Sequence, residues 1–142
     1  MRDNRAVAAV DNLVLLLVAV LAFSLFFSSL AGAYVERQRV ERGARLQAIA
    51  DALLATVMDA PGWTAGRGRL LASSLTNATG ETLAEVAASH PFRVVVWDLV
   101  HDTTWTLARG ESLGDRRTAI ASANVVSVTV DPARVTATVW GS

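Results

Sequence analysis

Twenty-four consecutive residues of this chain, from Asn12 to Val35, carry no charge. They are mostly Leu, Val, Phe and Ala, with Asn12 and a few hydroxyl groups as the polar exceptions. A helix rises about 1.5 Å per residue, so about 20 apolar residues cross the hydrocarbon core of a bilayer. Ser24, Ser28 and Ser29 do not oppose insertion, because hydroxyls in a helix can bond back to the preceding turn. The segment therefore predicts a membrane-inserted helix.

The rest of the chain has the length of one small domain, about a hundred residues. It contains no cysteine, which excludes disulfides and thiolate metal sites. Thirteen basic residues, all arginine, balance thirteen acidic ones. A net charge of zero offers no electrostatic argument for nucleic-acid binding, so we expect no nucleic-acid partner.

A helical pattern continues beyond the apolar segment. Apolar residues recur there at steps of three and four: Leu46, Ile49, Leu53, Val57 and Ala60. Polar residues fall largely on the other faces, so residues 36–60 predict an amphipathic stalk helix. Gly43 predicts a bend, since glycine weakens a helix interior by about 1 kcal/mol. Pro61 and Gly62 predict the end of the helix.

The apolar period changes to two in the last part of the chain. β-branched and aromatic residues predict strands at 92–99, 103–108, 123–130 and 134–140, and a helix is expected at 82–89. Asp131-Pro132-Ala133 predicts the turn between the last two strands. The candidate inner face consists of Val94, Val96, Trp105, Val126, Val128, Val135 and Val139.

These patterns predict an α+β fold. A long N-terminal helix, with a transmembrane half and an amphipathic stalk, packs against a small antiparallel sheet of three or four strands. The expected organisation is a leader at 1–6, a transmembrane or filament-core helix at 7–35, the stalk at 36–60 and a β-rich domain at 61–142.

The head of the chain resembles the archaeal type IV pilin-like family. Prepilins of that family carry a basic residue followed by Gly or Ala before the cleavage site, and here Arg5 and Ala6 precede Val7. Cleavage after Ala6 makes Asp11 the fifth mature residue, where the family generally has an acid, and Leu15 the ninth, where it often has leucine. The chain departs from many archaeal pilins in having Val7 first, where they have glutamine, and alanine third, where they have serine.

The resemblance implies a structural subunit of a surface filament, or a minor or pseudopilin subunit of the machine that makes one. Its implied partners are membrane lipid, copies of itself or other pilin-like subunits, a prepilin peptidase, and an assembly platform with its ATPase. It also implies a single-pass protein of the cell membrane whose C-terminal domain is extracellular. The departures at Val7 and Ala9 incline us toward the minor class.

Asp11 has a physical reason to matter that does not depend on the family. A carboxylate at the edge of an apolar run is costly and usually has a partner or a function. In a bundle of such helices, the free amine of Val7 on a new subunit meets the Asp11 carboxylate of its neighbour and sets the axial register. The alternative is that Asp11 is solvated in the headgroup layer near the start of the helix, where the macrodipole favours an acid.

Two other interpretations of the N-terminus stay open. Ala31-Gly32-Ala33 fits a secretory cleavage site after the apolar core 13–30, although that core is longer than usual. The chain can also be a single-pass anchored binding domain that never polymerises. Arginine counts on the two sides of the helix place the C-terminal domain inside the cell, in conflict with the family expectation.

Enzyme chemistry has little support in the sequence, and we expect no catalytic residue, cofactor or metal site. His90 and His101, with Asp98 and Asp102 nearby, match no metal-ligand spacing. No phosphate-binding glycine loop or nucleophile elbow is present.

Surface features of the C-terminal part suggest modification or adhesion instead. Asn77-Ala78-Thr79 matches the N-glycosylation sequon, which makes Asn77 a candidate site. The Arg116-Arg117 pair predicts a solvated turn. The four tryptophans predict packing positions, with adhesion as the alternative for a solvent-facing pair: Trp63, Trp97, Trp105 and Trp140.

Overall fold

The computed structural model describes residues 3–141, with side chains from residue 10 onward. Helix α1 spans Asp3–Asp59, and a short helix α2 spans Ala72–Asn77 before a 3₁₀ turn at Gly80–Leu83. Six strands complete the chain: β1 Thr64–Gly66, β2 Arg69–Leu71, β3 Phe92–Asp98, β4 Thr104–Arg109, β5 Arg116–Val126 and β6 Val130–Trp140. The contacts divide the chain into two compact units at residues 41 and 42.

Helix α1 ends two residues before Pro61, where proline removes the helical option from its predecessor. The helix continues through Gly43, where a bend was predicted. A side chain at this position would meet Arg117 of β5, since a Cβ on Gly43 would stand 2.6 Å from Arg117 Nη2. Glycine therefore gives the arginine room to lie against the helix.

The six strands form one sheet in the order β1-β2-β5-β6-β3-β4. All neighbours are antiparallel except β2 and β5, which run parallel. The predicted α+β class, with a long N-terminal helix packed against a mostly antiparallel sheet, is confirmed. The sheet is larger than the expected three or four strands, because the short strands β1 and β2 were not among the predicted ones.

The predicted turn at Asp131-Pro132-Ala133 is wrong, since these residues belong to β6. The β5–β6 turn lies at residues 127–129, where the Ser127 N–H donates to the Thr129 carbonyl at 3.0 Å. Proline is tolerated in this strand because its carbonyl accepts from Leu99 N–H, just past the end of β3. The nitrogen of a strand residue faces the same side as its oxygen, so the N–H that Pro132 lacks would point toward Leu99, beyond the last residue of β3. No hydrogen bond between β3 and β6 is therefore lost.

The predicted helix at 82–89 also differs from the structure. Residues 82–89 form no regular helix: the 3₁₀ turn is followed by single turns and ends in left-handed backbone at Ala88 and Ser89. A short helix lies earlier in the chain, at α2, which follows β2 directly. Both segments are short, and they are stabilised by burying Leu75 and Leu83 rather than by helical periodicity.

One apolar core lies between α1 and the sheet. The stalk contributes a buried stripe at helical spacing, Leu46, Ala50, Leu53 and Val57. The predicted inner residues Val94, Val96, Val135 and Val139 are fully buried. The predicted inner position of Val128 is wrong, because this residue is fully exposed in the β5–β6 turn. Nearby, Val125 is buried, whereas the predicted Val126 is only half-buried. The misplaced turn caused this error, because a change of one residue exchanges the two faces of a strand.

Candidate functional site

The apolar part of α1 is exposed on every side. Its large hydrophobic residues from Val10 to Val40 all have more than half of their surface accessible. Monomeric soluble proteins rarely expose contiguous apolar patches of more than a few hundred Å². The segment therefore needs a cover outside the chain, which lipid tails or other apolar helices can provide.

The polar groups of the helix backbone do not oppose such an apolar environment. Every interior N–H and C=O of an α-helix is bonded within the helix, as a hydrocarbon environment requires. Within the described residues, one helix, at Val10–Asp59, is long and apolar enough to cross a membrane, and its most apolar part is not buried by the rest of the chain. A secretory signal near an N-terminus has the same length and composition.

Two shallow apolar depressions follow one side of this helix. The first is lined by Ala19, Ala22, Phe23 and Phe26. The second is lined by Phe27, Leu30, Ala31, Ala33, Tyr34 and Arg37. In both, alanines lie beside aromatic rings at steps of three and four residues, so the side chains of a neighbouring helix can enter between them.

The predicted leader residues lie at the start of α1. The backbone of Arg5, Ala6 and Val7 is helical, but their side chains, like Met1 and Arg2 entirely, lie outside the described residues. Asp11 and Leu15 are both exposed and lie one helical turn apart, on the same side of α1. Asp11 is eight residues into the full-length helix, and the macrodipole acts mainly within the first turn, so its influence on Asp11 is small in the uncleaved chain.

The polar region after the apolar segment contains one ion pair among the described residues. Arg37 Nε donates to Glu41 Oε1 at 2.9 Å, one turn along the helix. Both side chains are well exposed, so this pair contributes a few tenths of a kcal/mol.

A polar cluster lies at one end of the sheet, where the β3–β4 turn meets the β5–β6 turn. The sequence placed Asp98 near His101, and the structure adds Asp131, whose carboxylate is 3.4 Å from His101 Nδ1. Asp131 is 30 residues from His101, so only the strand pairing could bring the two together. His90 lies elsewhere, and Asp102 accepts a 2.8 Å bond from Trp97 Nε1 instead.

The hydrogen bonds of this cluster explain its composition. Asp98 Oδ1 accepts from the backbone N–H groups of Val100 and His101, at 2.8 and 3.1 Å, and Oδ2 lies 3.1 Å from the His101 ring. Asp131 Oδ2 accepts from the Thr129 hydroxyl at 2.6 Å. Asp98 thus stabilises the backbone of the β3–β4 turn, and Asp131 holds the Thr129 side chain of the β5–β6 turn. Three potential metal ligands are close together, but hydrogen bonds within the chain already account for their placement.

Two effects act in opposite directions on the Asp98 carboxyl. Desolvation by burial raises its pKa, while the hydrogen bonds from Val100 and His101 and the nearby imidazole lower it. The net result is a pKa below the ordinary value of 3.8. The carboxylate is therefore ionised near neutral pH, and the ionised form is favoured by the two backbone N–H groups that donate to Oδ1.

The other predicted surface residues are distributed over the C-terminal domain. Asn77 is exposed at the end of α2, and its Nδ2 donates to the Ser73 carbonyl at 3.1 Å. Arg116 and Arg117 begin β5 rather than forming a turn. Trp63 and Trp105 pack at the margin of the core.

The remaining two tryptophans each lie beneath an arginine. Arg93 lies over Trp140, and Arg134 lies over Trp97, each with 5.8 Å between the guanidinium carbon and the ring centroid. The sequence contained no local signal for these pairs, because their partners belong to different strands.

No family model, curated protein or solved structure matches this chain.

Proposed function

We propose that this protein is a membrane-inserted structural subunit that assembles through its N-terminal helix, as a pilin-like component of an archaeal type IV pilus-like filament or of its assembly machine. The observation that carries the proposal is the full exposure of the apolar helix on a chain whose sheet already has a core. That core uses α1 only from Leu46 onward, so the exposed part is not needed to fold the C-terminal domain.

Assembly explains two features that anchoring alone leaves without a purpose. A lipid-facing helix needs no acid at its edge, whereas Asp11 can pair with the amine of a neighbour's Val7 once the leader is removed. Alanines between aromatic rings create depressions into which side chains of adjacent helices fit. Both features favour contact with other protein helices over contact with lipid alone.

Prepilin peptidase, the assembly platform and its ATPase are the partners that this function requires. The C-terminal domain then faces the cell exterior, which also makes Asn77 accessible for glycosylation. The chain has no catalytic role in this proposal. The polar cluster of Asp98, His101 and Asp131 serves to hold two turns together.

Charge-moving variants of the N-terminal helix test the assembly mechanism. Asp11→Asn removes the carboxylate at nearly constant size, so membrane insertion persists while assembly falls. The double variant Asp11→Asn/Asn12→Asp returns the charge to the same depth but moves it about 100° around the helix, and we expect assembly to stay low. Asp11→Glu keeps the carboxylate and retains at least part of the assembly. Leu15→Ala is the control for a general loss of helix packing.

The measurements are membrane content, and the yield of sheared surface filaments or the co-purification of filament subunits. Normal assembly by Asp11→Asn, or full recovery in the double variant, would refute the register mechanism. Normal membrane content without any multimer or co-purifying subunit in the wild type would instead favour the non-polymerising anchored domain.

A further inference from the structure

One face of the sheet is uncovered by any described element. Alternation along the strands sends every second residue of β3–β6 away from the core, where side chains align in rows across the strands. A central row contains Thr106, Val95, Thr136 and Ile120, and Ile120 is 63% exposed. From the strand spacing and the residue rise, this outer face measures about 14 Å by about 20 Å.

The outer face carries only positive charge. Its outward positions on the four strands include Arg93, Arg116 and Arg134 and no Asp or Glu, although the whole chain is neutral. At its margin, the Asp102 carboxylate accepts the hydrogen bond from Trp97 Nε1, and Asp115 directly precedes Arg116. The face is thus a local excess of three cations on an uncharged protein.

Two of these guanidinium groups are held in place by aromatic rings. Arg93 covers Trp140, which is 8% exposed, and Arg134 covers part of Trp97, which is 38% exposed. A planar guanidinium that is already oriented loses less freedom when it forms paired bonds to an oxyanion. Arg93 lies opposite Thr138, four residues from Arg134 on β6, so the backbone positions of the two arginines are about 13 Å apart along the strands. The Arg93 side chain extends over Trp140, away from Arg134.

This spacing requires an extended ligand with widely separated anions. Between the arginines lie hydroxyl groups of Thr104, Thr106, Thr118, Ser122, Thr136 and Thr138. The hydroxyls of Thr118 and Thr138 are 3.2 Å apart and form a hydrogen bond with each other. Each hydroxyl can also donate or accept a further hydrogen bond with a ligand.

We propose that the outer face binds an acidic polysaccharide, a chain in which carboxylate-bearing sugars are separated by neutral, hydroxyl-rich ones. The arginines bind the carboxylates and the threonine rows bind sugar hydroxyls. A nucleic acid fits less well, because its phosphates are much denser than three cations over 20 Å. Base stacking also needs accessible rings, whereas Trp140 is buried and Arg134 already lies over Trp97. This inference does not depend on filament assembly.

Binding of hyaluronan by the full chain in neutral detergent tests the proposal, since alternate sugars of this polymer carry a carboxylate. The matched ligand control is carboxyl-reduced hyaluronan, with the same backbone and no charge. We expect the wild type to bind the acidic form only, and Arg93→Gln/Arg134→Gln to weaken binding about tenfold. The control Arg42→Gln/Arg45→Gln removes the same charge from exposed positions of the stalk part of α1, outside the sheet, and changes affinity by less than about twofold.

A second pair of variants leaves the cation–π contacts intact. Ser122→Glu places a negative charge beside Arg134 on the outer face and weakens binding, whereas Ser127→Glu, in the β5–β6 turn, does not. Loss of binding to the same extent in face and control variants overturns the proposal, as does absence of binding by the wild type. Equal affinity for a single-stranded oligonucleotide at physiological salt also overturns it, in favour of a general polyanion surface.

Discussion

The C-terminal domain should depend on the stalk part of α1 for its stability. Fragments 36–142 and 63–142 contain the same sheet and the same four tryptophans, and differ only in the stalk. Leu46, Leu53 and Val57 are almost completely buried in the shared core. Burying such side chains contributes roughly 1.5–3 kcal/mol each, or together roughly 5–9 kcal/mol.

That contribution is comparable with the entire stability of a domain of this size, about 5–15 kcal/mol. Removal of the stalk also exposes the inner valines of β3 and β6. We therefore expect fragment 36–142 to unfold cooperatively in urea and fragment 63–142 to show no cooperative transition. Tryptophan fluorescence and near-UV circular dichroism measure this with identical probes in both fragments.

A point variant gives the same prediction a graded form. Leu53→Ala in fragment 36–142 should lower the free energy of unfolding by about 3 kcal/mol, within the range of Leu→Ala changes in cores. For a domain of about 100 residues this corresponds to a Tm decrease of roughly 12–24 °C. Val40→Ala, at an exposed position of the same helix, should change stability by about 0.5 kcal/mol or less. Equal, sharp transitions in the two fragments, or a neutral Leu53→Ala, would show that the stalk is not part of the core.

Three further outcomes are expected. Terminal sequencing of membrane-extracted protein should find Val7 first; an intact Met1 contradicts leader removal, and a start beyond the apolar segment identifies a secretory signal. The folded state lowers the pKa of Asp98 below 3.8, so its contribution to stability is complete above that pH and is lost as the pH falls through the folded value. The free energies of unfolding of wild type and Asp98→Asn, measured in urea, should therefore become equal in acid. A difference that stays constant with pH would contradict this. Gly43→Ala should stabilise by about 0.5–1 kcal/mol, because the flexible end of Arg117 can move aside, and a loss of stability would show that the arginine is firmly placed.

The periodicity of the chain was sufficient to predict its layers. An uncharged run, a stripe at three- and four-residue steps and alternating β residues are local signals, because each reports the face that one element must bury. They predicted the long helix, its end near Pro61 and the burial of Leu53 and Val94. The resemblance that suggested a pilin-like protein likewise depends on local residues at the head of the chain.

Turns and strand partners were less accessible to sequence reasoning. Pro132 was assigned to a turn because proline favours turns. It lies in a strand instead, because β3 ends before the point where the N–H that Pro132 lacks would have formed a hydrogen bond. The short strands β1 and β2 carry too few residues to show a period. The conformation of β2 depends on pairing with β5, where the partner of Arg69 is Asn124, 55 residues away in the sequence, and β1 in turn pairs with β2.

The sequence by itself therefore determined that the chain has an apolar N-terminal helix, a buried stalk stripe and a β-rich C-terminal part. Only the tertiary structure decided which side chains meet across the sheet. It placed Asp131 beside Asp98 and His101, and it set Arg93 and Arg134 over tryptophans of neighbouring strands. The physical reason is that burial follows from the residue's own type and period, whereas a site formed between strands depends on register, which many distant contacts set together.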